Sequence, residues 1–407
     1  MKTCFLLGSG ISIPAKLPSV KEITDQVLAI TPAELDGPVV RTQPPDILID
    51  LQTPERERLG HFLRWLKSVA EARYAEEAGR QVNYEDLAYL ATQIRDDLLG
   101  EYENPALGPL IYGAKKSLLG LCSVCDEEPE NLAKLAGQAL DCIFDVVVRM
   151  LGKPPEQLGH LRLFRDAAMA LSFGEVSLFT LNHDCLLEKY LRSEQLDVID
   201  GFKEQNSLGI RVWNPDVFDR SPAQKTKPTV LLFKLHGSID WRRFRPQVVN
   251  QDNPWSEEYV GIQSCSLFGQ RKDESGRMHE AFDRPLFLAG TFNKISGYLN
   301  HVFLELHYRF HRTLAESSRL VVSGYGFGDK GINNRIADWM CHSSDSTKRK
   351  MIVIDPKSLE KVQETARGAI GGKIHSWMKE GRFILLPYGL GDAEVNWNRI
   401  SASLNED

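Results

Sequence analysis

Six short runs of apolar and β-branched residues recur along the 407-residue chain, and they constrain its fold more than any other feature. Runs of this length and character are typical of strands that are buried on both faces of a sheet. Most of them are followed at once by Gly, Asn, Asp or His, and amphipathic helical patterns lie between them. Strands that alternate with helices predict an α/β, Rossmann-like fold with a doubly wound, mostly parallel sheet. The runs are Thr3–Leu7, Val176–Leu181, Thr229–Leu235, Arg319–Val322, Met351–Ile354 and Phe383–Leu386.

The strand pattern stops between about residues 31 and 174, where apolar residues recur at helical spacing. We interpret 31–174 as a helical insertion and assign residues 1–30 and 175–407 to one Rossmann-type nucleotide-binding domain. A second interruption, at about 242–285, is polar and rich in Trp, Asp, Asn, Gly and Arg. This composition predicts loops or a small subdomain within that domain.

Charge and cysteine content exclude several classes of protein. The formal net charge of -6 gives no overall basic field, so we expect no direct binding of nucleic acid. No apolar run is long enough to cross a bilayer, so we expect no membrane contact. Seven scattered cysteines favour a reducing cytoplasm over a disulfide scaffold. Cys122 and Cys125 form a single Cys-x-x-Cys pair, which lacks the second pair of a four-thiolate zinc site, so we expect no metal.

A glycine turn, Gly8-Ser9-Gly10-Ile11-Ser12, follows the first predicted strand directly. Ser19 and Glu22 then have the spacing of a capping box at the start of a helix. Two glycines let the backbone approach a pyrophosphate closely, and free amides and the helix dipole stabilise its charge. Because the third glycine of the common dinucleotide fingerprint is absent, a simple tight turn is an equal alternative.

Polar residues also follow the second and third predicted strands, where doubly wound sheets bind their ligands. Asn182 and Asp184 end the second strand, and His236 ends the third. A histidine at a strand end is well placed to accept a proton from a bound sugar hydroxyl. The alternatives are structural: a turn-forming Asn182, a helix-capping Asp184 and a buried, purely structural His236.

Two further patterns lie outside these turns. His301, His307 and His311 fall on an amphipathic helical pattern, and we interpret them as surface or groove positions rather than as metal ligands. The run from Asn83 to Asp86 has the composition of a capped helix start, and its position relative to any cofactor pocket is left open by the sequence.

The three turns occur in the order of the three signature motifs of the sirtuin family, and the chain resembles that family. The run from Ser323 to Asp329 is similar to the family's later Gly/Ser loop. Sirtuin deacylases carry two Cys-x-x-Cys pairs for zinc, whereas Cys265 is the only cysteine between His236 and Gly324. Leu-His-Gly-Ser-x-x-Trp, ending at Trp241, and Gly-Tyr-x-x-x-Asp instead resemble bacterial sirtuin-like NADases of anti-phage defence.

This resemblance implies an NAD⁺ hydrolase that releases nicotinamide and ADP-ribose, with NAD as the substrate and no metal. It implies NAD depletion during anti-phage defence, a homo-oligomer, and a partner ATPase or Argonaute-like protein in some members. The alternatives are a sensor that binds NAD or ADP-ribose without turnover, and a protein deacylase or ADP-ribosyltransferase. The implied catalytic residues are Asn182, Asp184 and His236. The implied cofactor-binding residues are Gly8, Ser9, Gly10, Ile11, Ser12, Gly237, Ser238, Ser323, Gly324, Tyr325, Asp329 and Asp355.

Overall fold

The computed structural model describes most of the chain. The described residues are 3–29, 53–75, 80–101, 104–118, 129–170, 175–219, 227–246, 258–263, 271–272, 278–282, 284–290, 293–341 and 348–405. Cys122, Cys125 and Cys265, the cysteines on which the expectation of no zinc site depends, lie outside them. In chain order the α-helices are α1 Val20–Leu28, α2 Thr53–Tyr74, α3 Tyr84–Leu98, α4 Gly108–Leu118, α5 Pro129–Leu151, α6 Arg162–Ala170, α7 Leu186–Ser193, α8 Asn293–Gly297, α9 His301–Glu316, α10 Lys330–Cys341, α11 Leu359–Thr365, α12 Ile374–Lys379 and α13 Trp397–Asn405.

A seven-stranded sheet forms the centre of the molecule, and every neighbouring pair in it is parallel. The six predicted strands all belong to it, so the predicted α/β, doubly wound fold is confirmed. The seventh, β3, is a short edge strand that the sequence did not predict. The order is β13 (Phe383–Leu386), β12 (Lys350–Ile354), β11 (Arg319–Ser323), β1 (Thr3–Leu7), β2 (Glu175–Thr180), β6 (Thr229–Lys234) and β3 (Asp197–Ile199).

Alternate residues of the central strand β1 face two different hydrophobic cores. Cys4 and Leu6 belong to a core that also contains apolar residues of α9 and α10. Phe5 and Leu7 belong to a second core, on the opposite face, which contains residues of α6, α7 and α13. Because successive side chains of a strand point to opposite faces, helices that cover both faces require the continuous apolar runs seen in the sequence.

The described part of 31–174 is mainly helical, and its helices belong to two different hydrophobic cores. Ile23 and Val27 of α1 share a third hydrophobic core with α2 to α5, although α1 was assigned to the nucleotide-binding domain. Conversely, α6 packs on the sheet, where Phe164 makes an edge-on contact with Phe5 at 5.6 Å between ring centroids. The hydrophobic cores therefore group α1 with the helices α2 to α5 and α6 with the central sheet, and the domain boundaries at 30 and 175 stay a prediction. None of the helices in the described residues combines the length and apolar character needed to cross a membrane.

A second sheet of six antiparallel strands accounts for much of the polar region. The sequence predicted loops or a small subdomain at about 242–285, but β4 and β5 lie before that interval. Their alternating polar residues gave no continuous apolar run, so these strands were missed. The order is β4 (Phe202–Gln205), β5 (Ile210–Trp213), β8 (Tyr259–Gln263), β7 (Trp241–Pro246), β10 (Met278–Phe282) and β9 (Arg271–Lys272).

Candidate functional site

A cavity of about 810 Å³ lies at the carboxyl ends of β1, β2, β6 and β11. Turns after these strands form one side of it, and helical residues between 69 and 90 form another. This is the place where open parallel sheets bind ligands, and the volume suits a dinucleotide-sized molecule. Nine of the predicted site residues line the cavity: Gly8, Ser9, Ser12, Asn182, Asp184, His236, Gly324, Tyr325 and Asp329.

The glycine turn packs backbone to backbone against the turn after β11. The Gly8 amide donates to the Ser323 carbonyl at 3.0 Å, and the Gly10 amide donates to the Gly324 carbonyl at 2.9 Å. A Cβ atom on Gly8 would lie 2.6 Å from the Gly324 oxygen, and one on Gly10 would lie 2.7 Å from the Gly324 Cα. Both glycines are therefore needed for this close approach, and Gly10 itself contributes no surface to the cavity.

Three predicted residues from two turns form a buried hydrogen-bonded chain. The Asn182 Nδ2 group donates to Ser12 Oγ at 3.1 Å, and Ser12 Oγ donates to Asp184 Oδ2 at 2.7 Å. Asp184 Oδ1 accepts from the Leu186 amide at 3.0 Å, but the residue at the N-cap of α7 is Cys185, whose side chain makes no capping hydrogen bond. The amide of Asn182 is held with its nitrogen toward Ser12. Its Oδ1 atom is buried and has no hydrogen-bond partner among the described residues.

His236 lines the cavity, is 3% exposed and lies against two oxygen atoms. Its Nε2 atom is 3.3 Å from Asp329 Oδ2 and 3.3 Å from the hydroxyl of Tyr298. Tyr298 donates its hydroxyl proton to Asp329 Oδ2 at 2.6 Å. Burial is the main reason that the pKa of His236 is lowered, and Lys294 lowers it further, while Asp329 opposes both. The imidazole is therefore favoured in the neutral form that a base requires.

An ion pair connects this side of the cavity to the helical segment. Lys294 Nζ lies 2.7 Å from Glu85 Oε1, and both residues line the cavity. Glu85 is in the first turn of α3, where Asn83 and Asp86 form a complete capping box, as the sequence predicted. The start of α3 therefore does lie over the cavity, a point that the sequence left open.

His307 is buried, which makes its interpretation as a surface or groove position wrong. Its ring stacks on Tyr298 with 3.7 Å between centroids, and its Nε2 atom is 3.1 Å from the Leu235 carbonyl. Burial, with a smaller contribution from His236, lowers the pKa of His307 to about 3. His301 and His311 are exposed, as expected. In the described part of the chain, no group of three or more His, Cys, Asp or Glu side chains could hold a metal ion.

Six predicted cofactor residues do not line the cavity, and their assignment stays a prediction. Ile11 belongs to a hydrophobic core. Gly237 has a φ of +78° and is in close contact with the backbone of Leu286. Ser238 Oγ donates to the His183 carbonyl, so it stabilises the turn after β2 without lining the cavity. The full set is Gly10, Ile11, Gly237, Ser238, Ser323 and Asp355, the last of which accepts from the Lys357 amide at 2.9 Å.

The sequence missed several residues that line the cavity or touch His236. Lys294 and Tyr298 lie in a stretch without motif or strand pattern, so no local signal marked them. His183 lies inside the second turn, and no role was predicted for it; its ring is 6.3 Å from that of His236 and 4.5 Å from that of Phe287. Burial, assisted by the charge of Lys294, lowers the pKa of His183 well below its ordinary value.

Comparison with known proteins gives one family match. Among solved structures, a Sir2 homologue in complex with NAD is 12% identical, with 99% of this chain and 89% of that chain covered and a TM-score of 0.36. A serine-to-alanine mutant of a Sir2 homologue in complex with ADP-ribose is 11% identical, with 100% and 95% covered and a TM-score of 0.38. No curated protein sequence matches the chain. Residues 176–375, which include the turns of Asn182, His236 and Asp329, match the model of the SIR2-like domain family.

Proposed function

We propose that this protein is an NAD⁺ hydrolase that cleaves the bond between nicotinamide and ribose. The observation that carries the proposal is the unpartnered, buried Oδ1 of Asn182 in the same cavity as the imidazole of His236. An unpaired buried acceptor is costly to a fold, so its presence in a cavity favours a ligand that donates a hydrogen bond there. The match of 176–375 to the SIR2-like domain supports NAD as that ligand.

The reaction requires one bond to break and one to form. The bond between C1′ of the ribose and the nicotinamide nitrogen breaks, and its electron pair neutralises the pyridinium ring. The oxygen of a water molecule then bonds to C1′, and the proton that this water loses passes to His236 and from there to solvent. The products are nicotinamide, ADP-ribose and a proton. A neutral histidine with a lowered pKa is suited to accept that proton near neutral pH.

Two further residues prepare the site for this step. Asn182 Oδ1 would accept a hydrogen bond from a ribose hydroxyl or from the attacking water, and the contact with Ser12 fixes the direction of the amide. Asp184 would orient the nicotinamide amide. Its two oxygens already accept from Ser12 and Leu186, and a carboxylate retains lone pairs for another donor. Positive charge develops on the ribose during cleavage, and oriented acceptors stabilise it.

The direct test measures products from purified full-length protein and NAD. We expect His236→Ala and Asn182→Ala each to reduce release of nicotinamide by roughly 100-fold or more, because each removes a proton acceptor or a positioning group. Chromatography of the products distinguishes ADP-ribose from a cyclic form. The exposed residues His311 and Asn398 provide matched controls, as His311→Ala and Asn398→Ala.

Two outcomes would contradict the hydrolase. Turnover at the wild-type rate in both site variants would remove Asn182 and His236 from the reaction. Tight binding of NAD by calorimetry, with no cleavage by the wild-type protein, would support the sensor alternative instead. Release of acetyl-ADP-ribose from an acetylated peptide would support the deacylase alternative.

The cellular role that we propose is depletion of NAD during phage infection, by a homo-oligomer acting alone or with an ATPase or Argonaute-like partner. Its support is the resemblance of the Leu235–Trp241 and Gly324–Asp329 motifs to sirtuin-like NADases. In phage-challenged bacteria that express the protein, total NAD should fall with the wild-type chain and be maintained with His236→Ala. An equal fall in both strains would contradict this role.

A further inference from the structure

His236, Asp329 and Tyr298 form a hydrogen-bond network, and the position of each proton in it can be assigned. Asp329 Oδ1 accepts from the Ile332 amide at 3.0 Å, and Oδ2 accepts from the Tyr298 hydroxyl at 2.6 Å. Although burial alone would raise the pKa of the Asp329 carboxyl, its interactions with His236 and Tyr298 and the positive charge of Lys294 hold that pKa far below the ordinary value. Asp329 is therefore an ionised carboxylate, which accepts hydrogen bonds and donates none.

The proton on the imidazole follows from these contacts. Tyr298 has a single hydroxyl proton, and it is directed to Asp329, so the Tyr298 oxygen is an acceptor toward His236. Two acceptors thus face Nε2 of His236, each at 3.3 Å. In a neutral imidazole one nitrogen carries the proton and the other is bare, so Nε2 carries it and Nδ1 is bare. Among the described residues, Nδ1 of His236 has no hydrogen-bond partner.

We propose that Asp329 and Tyr298 are positioning residues that hold His236 as the Nε2–H tautomer, so that Nδ1 is the atom that accepts the proton. This inference rests on the proposed hydrolase and adds to it the atom and the two residues that select it. Asp329 then stabilises the imidazolium that forms when Nδ1 takes the proton from water, without becoming protonated itself. Tyr298 shares the negative charge of Asp329 and keeps the carboxylate turned toward Nε2.

Further charged and titratable groups surround His236, and they determine the direction of its pH response. Lys294 lowers the pKa of His236, and Glu85, paired with Lys294, raises it. His183 and His307 are also buried beside it, and burial lowers the pKa of each. Asp329 therefore raises the pKa of His236 more than any other neighbouring group does, and its removal should change the pH–rate profile most.

The first variant is Asp329→Asn, which keeps the shape of the side chain and removes its charge. The amide of an asparagine can turn its Nδ2 group toward Nε2, which favours the opposite tautomer of His236. We expect kcat for NAD cleavage to fall by roughly 100-fold or more with little change in KM. Activity requires neutral His236 and rises with pH through its pKa. Without Asp329 the pKa of His236 falls, so the rising limb of the pH–rate profile moves to lower pH.

The second variant is Tyr298→Phe, which preserves the ring stacked on His307 and the capping of α10 by Asp329. We expect kcat to fall by about tenfold, the scale of one hydrogen bond to a charged group. Oδ2 of Asp329 then interacts with His236 without competition from Tyr298, so the pKa of His236 rises and the rising limb of the pH–rate profile moves to higher pH. Opposite shifts in the two variants are an outcome that general destabilisation would not produce. Asp216→Asn and Tyr112→Phe, at exposed positions, are the controls.

A measurement that is independent of activity completes the test. In full-length protein labelled with ¹⁵N-histidine, the His236 signals are those lost in His236→Gln. We expect the shifts of an Nε2–H tautomer in the wild type and a change toward Nδ1–H in Asp329→Asn. If this change occurs but the wild type does not cleave NAD, the positioning is supported and the hydrolase fails. If the wild type cleaves NAD and both variants keep its kcat, pH profile and tautomer, the positioning is overturned and the hydrolase stands.

Discussion

Two regions enclose the cavity, and different interactions hold them in place. The first, which we call the floor, consists of the turns 8–12, 180–184, 235–238 and 323–329. Its turns are joined through backbone groups: the Leu235 amide donates to the Thr180 carbonyl at 2.9 Å, in the same way that the glycine turn bonds to the turn after β11. The second, the roof, consists of the cavity-lining residues between 69 and 90.

The roof meets the rest of the site through side chains. Glu85 pairs with Lys294, which lies beside the floor. Within the roof, the guanidinium of Arg80 lies 3.1 Å from the centroid of the Tyr74 ring and pairs with Asp86 at 2.6 Å. A region held by backbone contacts between neighbouring strands has little freedom to move, whereas side-chain pairs open at lower cost. We therefore expect the floor to determine the chemistry and the roof to determine how well the ligand is enclosed.

The ion pair beneath the floor provides the largest test of this contrast. Lys234 and Glu188 are 2.8 Å apart, with side chains only 2% and 9% exposed, and Lys234 also donates to the Asp184 carbonyl. Although burial opposes the charged form, Glu188 raises the pKa of Lys234. Lys234→Met would leave a buried carboxylate without its counter-ion. We expect it to lower the free energy of unfolding by about 3 to 5 kcal/mol, measured by urea titration at neutral pH.

The corresponding change beside the roof is Lys294→Met. It leaves Glu85, which is 25% exposed and remains accessible to water. We expect Lys294→Met to lower the free energy of unfolding by only about 1 kcal/mol. Equal losses in the two variants would show that the floor and the roof do not differ in the way that their contacts indicate.

A loss between those of Lys234→Met and Lys294→Met is expected from Gly324→Ala, which tests the backbone contacts of the floor. Gly324 has a φ of +63°, and an added Cβ would lie 2.5 Å from the Ile11 amide nitrogen. Backbone strain and overpacking together should lower the free energy of unfolding by about 2 to 4 kcal/mol. NAD binding, measured by calorimetry, should weaken because the two turns separate. Gly372→Ala, where a Cβ meets open space, is the control; comparable losses at both positions would contradict the close approach.

The floor was the part that the sequence could predict, and the reason is physical. Each of its turns follows a buried strand directly, so local pattern and sheet topology together bring Asn182 and His236 to one edge. The contacts of Lys294 and Tyr298 could not be predicted in this way. Glu85 and Lys294 are 209 residues apart in sequence, and nothing local to either residue indicates the other. Capping chemistry did predict the start of α3, but not what lies opposite it.

The same limit explains the second sheet and His307. Half-polar strands such as β7, which contains Arg242, Arg243 and Arg245, lack the apolar runs that marked the parallel sheet. His307 was interpreted from its own helix, where the neighbouring His301 and His311 are exposed. Its burial depends on Tyr298, which covers the ring from another segment. Tertiary contacts of this kind are not determined by helical spacing.

The smallest effect should come from Glu85→Gln, which removes the negative charge that the roof places next to Lys294 but keeps the shape of the side chain. Lys294 then loses its counter-ion. Under the proposed function its uncompensated charge would oppose the cationic nicotinamide ring, so we expect KM for NAD to rise about fivefold, which corresponds to about 1 kcal/mol. Because Glu85 raises the pKa of His236, its loss should also move the rising limb slightly to lower pH. The value of kcat should be retained, since the floor is unchanged. Glu71→Gln, which breaks the exposed pair with Lys67 on α2, is the control. A fall in kcat without a change in KM would mean that the roof takes part in the chemistry, and the division between floor and roof would then be wrong.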